Sequence, residues 1–586
     1  MAQFFKFVFA TMVGVILLTL LGVFLLLAVA SATGDKESGE VSNNSVLKLS
    51  LNMPVNERKE DNPLENLELP GLPSQRTLGL LELRQAIEKA KNDEKIKGIY
   101  LDAGNISAGF ATLEEIRAAL KDFKKSGKFI YAYSETISEP AYYIISVADS
   151  IFLHPQGNLE LNGLVAEIGF AKGLFEKIGV KPEIFRVGDF KSAVEPFMLD
   201  KMSDANRLQT SAYLNSIYDH YLKGIAESRG ISFEELTRIS DNMLVQMPED
   251  AVKYKLISRT AYYDEVEKSI RKKLGITDEK KKINYVSLKR YSKPEAEEVY
   301  GKQKIAVIFA DGDIQSGKST RESIGSETIA EELRKARNDD KIAAVVLRIN
   351  SPGGSALASD VMWREVIETK KKKPVIASMS DVAASGGYYM AMGCNKILAH
   401  PNTITGSIGI FGMLFDASEL LTGKLGLTFD RVKTGEYADI GTPTKKFTDA
   451  ERQVIQRAVN EGYENFTSKA AQGRKMPLDT LKKYAGGRVW TGEQALKIGL
   501  IDGFGGLNEA IQLAAKEAKI KEGEYVVRYY PVKKTFLETL RSSDDLIEEH
   551  LLQKKASSLY PLLKQIERLS HYQGVQARWP YEVKFQ

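Results

Sequence analysis

The chain has 586 residues, of which 43% are hydrophobic and 27% charged, and its formal net charge is +4 at pH 7. This length is too great for one core and predicts two or three domains of ordinary globular composition. The small net charge, without a basic stripe interleaved with aromatic residues, argues against a nucleic-acid partner. A single cysteine, Cys394, excludes an internal disulfide, and scattered histidines disfavour a zinc hydrolase. We therefore expect no metal and no cofactor.

An uncharged apolar run extends from residue 7 to residue 30 and is long enough to cross about 30 Å of hydrocarbon. It predicts one transmembrane anchor. Residues 1–6 are expected in the cytoplasm and the rest of the chain on the other side, because Lys6 precedes the run. A cleaved signal peptide is the alternative, since residues 28–30 (AVA) could be cut, but its apolar core would be shorter, about 7–15 residues. Residues 31–45 are expected to form a linker.

The chain contains the same domain twice. Residues 91–101 (KNDEKIKGIYL) match residues 337–347 (RNDDKIAAVVL), and further pairs recur at the same offset. In each copy, short apolar strands alternate with amphipathic helices, which predicts an α/β fold with a largely parallel sheet. We therefore predict a first repeat at 46–295, a second repeat at 302–530, and a helical and extended tail at 531–586.

Two glycine-rich turns follow successive strands of the second repeat. Residues 350–355 (NSPGGS) could turn backbone N–H groups toward an oxyanion at a helix N-terminus, although a tight turn capped by Ser355 is the alternative. Residues 381–389 (DVAASGGYY) place Ser385 where a strand meets a helix. Helix packing through small residues is the alternative for this second turn. Together, at neighbouring strand ends, the two turns indicate a site.

The two repeats retain different halves of this site. At the position of Ser385 the first repeat carries Glu139, and Ser107-Ala108 stands where the second repeat has its glycines. Conversely, Lys191 in the first repeat corresponds to Ala438 in the second. One complete site shared between the repeats explains this pattern better than independent loss.

A serine nucleophile needs a base, and the sequence offers two candidates. Lys191 can accept a proton if burial lowers its pKa enough to keep it neutral; a solvated surface lysine is the alternative. His400 is the histidine nearest to the motifs, but its counterpart His154 lies in the repeat without the serine, which indicates a structural role. We predict Ser385 as nucleophile and Lys191 as general base.

A competing motif is present at residues 312–319 (GDIQSGKS), which satisfy the phosphate-loop pattern. However, the next apolar strand does not end in a magnesium-binding aspartate, and Gly325-Ser326 interrupts the helix that should follow. Nucleotide binding is therefore disfavoured.

Four stretches resemble the long, tandem form of signal peptide peptidase A, also called protease IV: 190–196 (FKSAVEP), 384–388 (ASGGY), 405–409 (TGSIG) and 495–502 (ALKIGLID). The resemblance covers roughly residues 1–530 and implies two Clp protease/crotonase-like domains, each a spiral of ββα units, behind one transmembrane helix. It also implies that Ser385 and Lys191 form the dyad, that the Gly354 and Gly386 N–H groups form the oxyanion hole, and that the Ser407 hydroxyl orients the lysine.

The same resemblance implies a membrane-anchored serine endopeptidase that degrades remnant signal peptides and other membrane-associated peptides. Its expected location is the bacterial inner membrane, as a single-pass protein with the catalytic part on the extracytoplasmic side. A homo-oligomer is expected, with four chains as the working number. Two alternatives stay open at this point: a crotonase-like acyl-CoA enzyme, which would need no serine nucleophile, and a non-catalytic membrane scaffold.

Overall fold

The computed structural model describes residues 2–33, 41–59, 76–278, 280–292, 303–320, 323–521, 523–532 and 574–578. The boundary between the predicted repeats and residues 34–40 of the predicted linker lie outside these residues. So does the stretch of the tail at 543–570 that looks helical in the sequence. The limits of the domains therefore stay predictions.

The N-terminal helix α1 spans Ala2–Thr33 and contains the run predicted as an anchor. The side chains from residue 23 to the end of this helix are not among those described. In the part of the chain that the structure describes, no helix combines the length and the apolar side chains needed to cross a membrane.

The first repeat folds around a parallel sheet. Its strands are β1 (Ser45–Ser50), β2 (Val55–Asn56), β3 (Leu78–Gly79), β4 (Ile96–Asp102), β5 (Phe129–Ile137), β6 (Ser150–Leu159), β7 (Lys181–Arg186), β8 (Arg259–Thr260) and β9 (Asn284–Ser287). Its helices are α2 (Leu80–Asn92), α3 (Phe110–Lys124), α4 (Glu139–Ile145), α5 (Lys172–Ile178), α6 (Glu195–Met198), α7 (Asp204–Arg229), α8 (Phe233–Asp241), α9 (Pro248–Lys253), α10 (Tyr263–Lys273) and α11 (Leu288–Tyr291). A 3-10 turn covers Ser192–Val194.

The second repeat repeats this plan. Its strands are β10 (Gln303–Asp311), β11 (Asp313–Gln315), β12 (Ser323–Gly325), β13 (Ile342–Ser351), β14 (Gly353–Ser355), β15 (Val375–Ala384), β16 (Lys396–Ala399), β17 (Ile404–Gly406), β18 (Phe411–Asp416), β19 (Val489–Thr491), β20 (Gly503–Phe504) and β21 (Tyr525–Tyr530). Its helices are α12 (Ser326–Asn338), α13 (Ala356–Lys370), α14 (Gly386–Ala391), α15 (Asp449–Arg474), α16 (Leu478–Tyr484), α17 (Gly492–Lys497) and α18 (Leu507–Glu517), with a π-helical turn at Glu419–Lys424. A last strand, β22 (Gly574–Arg578), comes from the tail.

The two main sheets have the same strand order. The first runs β9-β1-β4-β5-β6-β8, and the second runs β21-β10-β13-β15 before β16 and β20, with neighbouring strands parallel along both paths. Strands such as β10 and β13 are buried on both faces, as parallel strands covered by helices are. The prediction of two tandem α/β domains is confirmed.

Local sequence signals set the limits of α7 and α15, the equivalent long helices of the two repeats. The Ser203 side chain accepts the Asn206 N–H at the start of α7, and Gly230 ends that helix at a φ of 64°. At the start of α15, Thr448 and Glu451 form a reciprocal capping box. Helix α7 contacts β19 of the second repeat and helix α15 contacts β7 of the first, so a long helix from each repeat borders the region where the repeats meet.

A mixed sheet joins the repeats, in the order β12-β11-β14-β22-β18-β7. In it, β7 of the first repeat pairs antiparallel with β18 of the second. The phosphate-loop pattern at 312–319 contributes strand β11 to this sheet, and helix α12 begins only at Ser326. The strand-loop-helix arrangement that a phosphate loop needs is therefore not formed there.

Candidate active site

Ser385 lies at the junction between strand β15 and helix α14. Its φ of 54° and ψ of −109° belong to a backbone region that residues other than glycine rarely adopt. The turn is held by the Ser385 N–H, which donates to the Gly406 carbonyl at 2.8 Å, and by the Tyr389 N–H, which donates to the Ser385 carbonyl at 2.8 Å. A serine on a strained strand-to-helix turn is the arrangement that presents a nucleophile.

Lys191 reaches this turn from the first repeat, on the loop that follows β7. The loop docks against two glycines of the second repeat, and the Phe190 N–H donates to the Gly486 carbonyl at 3.1 Å. A Cβ on Gly487 would lie 2.6 Å from the Lys191 Cα. The pair Gly486-Gly487 therefore lets the lysine-bearing backbone approach closely, which a larger residue would prevent.

The structure brings Lys191, Ser385 and Ser407 together. The Lys191 Nζ lies 2.8 Å from the Ser385 Oγ, 3.0 Å from the Ser407 Oγ and 3.3 Å from the Ser407 carbonyl oxygen. Ser385 is 0% exposed, and Lys191 and Ser407 are each 1% exposed. Ser407 also has a positive φ, 49°, and its N–H donates to the Arg488 carbonyl at 2.8 Å.

Burial lowers the pKa of Lys191 well below its usual value, because a charged ammonium loses its hydration there. Among the described residues, no carboxylate forms an ion pair with this lysine that would counteract the effect. Its amine is therefore biased toward the neutral form, which has a lone pair to accept a proton.

Gln209, on helix α7, supports the lysine loop and was not identified from the sequence. Its Nε2 donates to the Phe190 carbonyl at 3.1 Å and to the Ser192 Oγ at 2.9 Å. Its Oε1 accepts the Val489 N–H at 3.3 Å. The side chain is buried and connects both sides of Lys191 to the second repeat. No motif marks it, since Phe190, Ser192 and Val489 all lie far from it in the chain.

The predicted oxyanion turns also meet at this point. A Cβ on Gly386 would lie 3.1 Å from the Gly353 Cα, and one on Gly353 would lie 2.7 Å from the Gly386 N. Gly354 pairs with Ile314 on one side and with Ala577 on the other. Gly353, one of the two glycines of the first turn, therefore lies against the Gly386 amide. The assignment of Gly354 and Gly386 as oxyanion donors stays a prediction.

His400, the alternative base, belongs to a different cluster. Its Nε2 lies 3.2 Å from Glu115, a carboxylate of the first repeat that also pairs with Arg348 at 2.8 Å and with Arg84 at 2.6 Å. Arg348 in turn makes a bidentate pair with Glu57, at 2.9 and 3.0 Å. This buried network ties β13 of the second repeat to the first repeat, which fits a structural role for His400.

Within the described ranges, no group of three or more histidine, cysteine, aspartate or glutamate side chains is arranged to hold a metal ion. The chemistry available at the Ser385 turn is that of a hydroxyl beside a buried amine, with backbone N–H groups close by. Such an arrangement suits acyl transfer through a serine nucleophile.

The sequence matches the model of peptidase family S49 twice, at residues 122–277 and 367–521. It is 35% identical to "Serine protease SPPA, chloroplastic" of Arabidopsis thaliana over 92% of this chain and 78% of that protein. It is 37% identical to "Protease 4" of Salmonella typhi over 79% of this chain and 76% of that protein. A solved structure of a ClpP1 mutant from Listeria monocytogenes matches 35% of this chain and 94% of its own, with 13% identity and a TM-score of 0.25.

Both repeats thus carry the family domain, and the similarity to the two named proteases extends over most of the chain. The acyl-CoA enzyme and the scaffold are no longer needed as explanations. The chain belongs to peptidase family S49 and is a serine peptidase of the signal peptide peptidase A type.

Proposed function

We propose that Ser385 is the nucleophile and Lys191 the general base of this peptidase. The main support for this proposal is the 2.8 Å distance between the Lys191 Nζ and the Ser385 Oγ, at a site where burial lowers the pKa of the lysine. A neutral amine at hydrogen-bonding distance from a hydroxyl satisfies both requirements of a base, geometry and protonation state.

In this mechanism the Ser385 hydroxyl gives its proton to Lys191 and attacks the carbonyl carbon of a peptide bond. The oxyanion that forms is stabilised by the backbone N–H groups of Gly354 and Gly386. Lys191 then protonates the leaving amine, and a water molecule releases the acyl group from Ser385 by the same proton path in reverse. The Ser407 hydroxyl, 3.0 Å from the Nζ, keeps the amine directed at Ser385.

The substrates proposed are remnant signal peptides and other peptides associated with the membrane. This choice rests on the resemblance to signal peptide peptidase A. Such peptides are apolar and extended once released from their precursor, and an endopeptidase that cuts them needs access to the membrane surface.

We further propose that residues 7–30 anchor the protein in the bacterial inner membrane, with the catalytic part on the extracytoplasmic side. Large apolar side chains on α1 are exposed, including Phe7 at 73% and Leu18 at 74%. A helix with exposed apolar side chains needs an apolar surrounding. Protease added to intact spheroplasts should digest the C-terminal tail, and complete protection of the tail would reverse the proposed orientation.

A homo-oligomer is supported by two segments that lack the partners of their counterparts. Strand β18 pairs with β7, which joins the second repeat to the lysine arm of the first. At the 246-residue offset of the internal repeat, residues 165–170 correspond to β18 and residues 427–432 correspond to β7. Both are described, neither forms a strand, and Val165 and Val432 are 62% and 99% exposed.

Residues 165–170 of one chain could therefore pair with residues 427–432 of the next, as β18 pairs with β7 within a chain. Contacts of this head-to-tail kind close into rings when the rotation permits. Four chains are the number we propose.

The dyad is tested by labelling with a fluorophosphonate probe, followed by peptide mapping. We expect modification at Ser385 and loss of both labelling and peptide hydrolysis in Ser385→Ala. The exposed Ser126→Ala is the matched control and should behave like the wild type. Labelling at another serine, or hydrolysis that survives in Ser385→Ala, would refute the assignment.

A further inference from the structure

Arg488 is a cation close to the dyad that the proposed mechanism does not use. Strands β17 and β19 pair antiparallel, and just beyond the pair the Arg488 carbonyl accepts the Ser407 N–H at 2.8 Å. The Ser407 hydroxyl lies 3.0 Å from the Lys191 Nζ. Residues opposite each other on antiparallel strands have Cβ atoms about 5 Å apart. The guanidinium is therefore on the order of 10 Å from Ser385, about the span of three extended residues.

Two aromatic rings hold this guanidinium in place. The Arg488 Cζ lies 5.0 Å from the centre of the Phe190 ring and 4.2 Å from the centre of the Trp490 ring, within the range of a cation–π interaction. The Trp490 Nε1 donates to the Tyr484 carbonyl at 3.0 Å, and the backbone of Phe190 is fixed by Gly486 and Gln209. The arginine is thus pre-organised, so a ligand that binds it does not have to order the side chain.

The hydrogen-bond donors of Arg488 have no acceptor among the residues that the structure describes. Its Nε is buried without a partner, and no carboxylate forms an ion pair with the guanidinium. Burial lowers the pKa of Arg488, but an arginine still keeps its charge at neutral pH. Two other arginines of this repeat differ, since Arg348 pairs with Glu57 and Arg474 pairs with Asp502. A rigid, charged and unpaired guanidinium is suited to bind an anion.

The arginine is present only in the repeat that carries the nucleophile. The turns before Arg488 and before Leu244 are equivalent, because Gly487 and Met243 have positive φ values of 85° and 47° and helices α17 and α9 follow at the same spacing. Leu244 therefore stands in the first repeat where the second has Arg488. A role in the fold common to both repeats does not require this difference, which favours a role at the site.

The position of Lys191 indicates which part of a substrate reaches Arg488. In the proposed mechanism Lys191 protonates the leaving amine, so the residues that follow the cleaved bond begin beside its Nζ. The guanidinium lies over the ring of Phe190, the residue before Lys191. It is therefore placed to meet the leaving segment of the substrate about three residues beyond the cleaved bond.

We propose that Arg488 binds a carboxylate in the leaving segment of the substrate, and that this group is the C-terminal carboxylate. This role deepens the proposed function and rests on it, since it takes Lys191 as the group that meets the leaving amine. A planar guanidinium can donate two parallel hydrogen bonds to a carboxylate. Every peptide released from a precursor by hydrolysis ends in a new carboxylate, whereas the same sequence inside an intact chain does not. The site therefore favours released peptides.

Four internally quenched peptides of alanine and leucine test the preference of the wild type. The first ends in a carboxylate, the second in an amide, the third in a glutamate with an amide end, and the fourth carries its carboxylate on an extension beyond the reach of Arg488. We expect kcat/KM to be about tenfold higher for the first than for the second and fourth, through KM. Mass spectrometry should locate the cleaved bond about three residues before the end of the first peptide.

Two results would count against the proposal. Equal rates for all four peptides would overturn the binding of a carboxylate. A preference for the glutamate peptide alone would overturn the assignment to the C-terminus and identify an acidic side chain as the bound group.

Variants of Arg488 separate recognition of the substrate from support of the lysine loop. Arg488→Met should cleave the carboxylate and amide peptides at equal rates, and Arg488→Lys should keep part of the preference, because lysine retains the charge but not the planar donors. The exposed Arg457→Met is the matched control and should keep the wild-type ratio of rates. An arginine that only held the loop would slow both peptides equally when removed, so an unchanged ratio in Arg488→Met would overturn the proposal.

A binding experiment separates this inference from the dyad. Fluorescence anisotropy of the labelled carboxylate and amide peptides is measured with Ser385→Ala, in which no catalysis is needed. We expect the carboxylate peptide to bind about tenfold more tightly, and this difference to disappear when Arg488→Met is added. That result supports the role of Arg488 even if the fluorophosphonate labels another serine. Equal binding of the two peptides, together with normal labelling of Ser385 in the wild type, would overturn that role and leave the dyad intact.

Discussion

Replacing Lys191 by methionine removes the proposed base while keeping an unbranched side chain of similar length. Among the described residues, the Lys191 Nζ is the group that hydrogen-bonds to the Ser385 Oγ. Without it, the hydroxyl has no side chain to receive its proton. Loss of one member of a nucleophile–base unit costs a factor on the order of 10⁴ to 10⁶ in kcat. Each tenfold loss corresponds to about 1.4 kcal/mol of transition-state stabilisation.

The same substitution should change how stability depends on pH. Burial holds the pKa of Lys191 well below 10.5 in the folded chain, whereas the unfolded chain binds the proton up to that value. Stability of the wild type therefore rises with pH between the lowered pKa and 10.5, because the unfolded state binds more protons there. Lys191→Met lacks this slope. Its lost hydrogen bonds to Ser407, about 1 kcal/mol each, shift stability by an amount that does not depend on pH.

The assay combines hydrolysis of a fluorogenic peptide with urea unfolding from neutral to alkaline pH. Wild-type activity should rise with pH on an acid limb that belongs to Lys191, below the usual range for lysine. Lys191→Arg should be as inactive as Lys191→Met, since arginine keeps its proton. The exposed Lys201→Met is the matched control. A Lys191→Arg enzyme that retains activity with an unchanged pH profile would refute the reasoning, because the lysine would then supply charge alone.

Further variants test the supports of the site. Gln209→Leu should lower kcat by about 100-fold through displacement of the lysine loop, with little change in KM. A variant with the kcat and the KM of the wild type would contradict this positioning role. Arg348→Met leaves Glu57 and Glu115 buried without their shared partner and should cost about 3–5 kcal/mol in urea unfolding; a loss below 1 kcal/mol would contradict this. Burial alone would raise the pKa of Glu115, but the Arg348 and Arg84 charges outweigh it and hold this pKa well below its usual value of 4.5. The contribution of Glu115 to stability is therefore present above pH 4.5 and is lost as the pH falls below that value, and Glu115→Gln should flatten this acid limb. Val432→Asp should yield monomers in light scattering while the exposed Met247→Asp does not, and intact oligomers in both would exclude the proposed pairing.

The α/β architecture and its duplication were predictable from the sequence. Parallel strands covered by helices are apolar along their whole length, so β10, β13 and β15 stand out as short hydrophobic runs. Comparison of the repeats singled out Ser385 in the second repeat and Lys191 in the first, because each repeat lacks the residue that the other retains. That comparison predicted a shared site without any knowledge of distances, and the structure places these two side chains in contact.

Other features depend on contacts that leave no periodic pattern. Gln209 and Gly487 act on backbone groups far away in the chain, so neither residue type nor spacing marks them. The sequence predicts a helical and extended tail, but the position of β22 between β14 and β18 could not be predicted from it. A strand's partners are chosen by main-chain hydrogen bonds, which are the same for every sequence, and only the tertiary structure determines which edges are left open. The sequence by itself therefore determined which chemistry the chain carries, and the packing of the repeats and the tail decided which groups meet around Ser385.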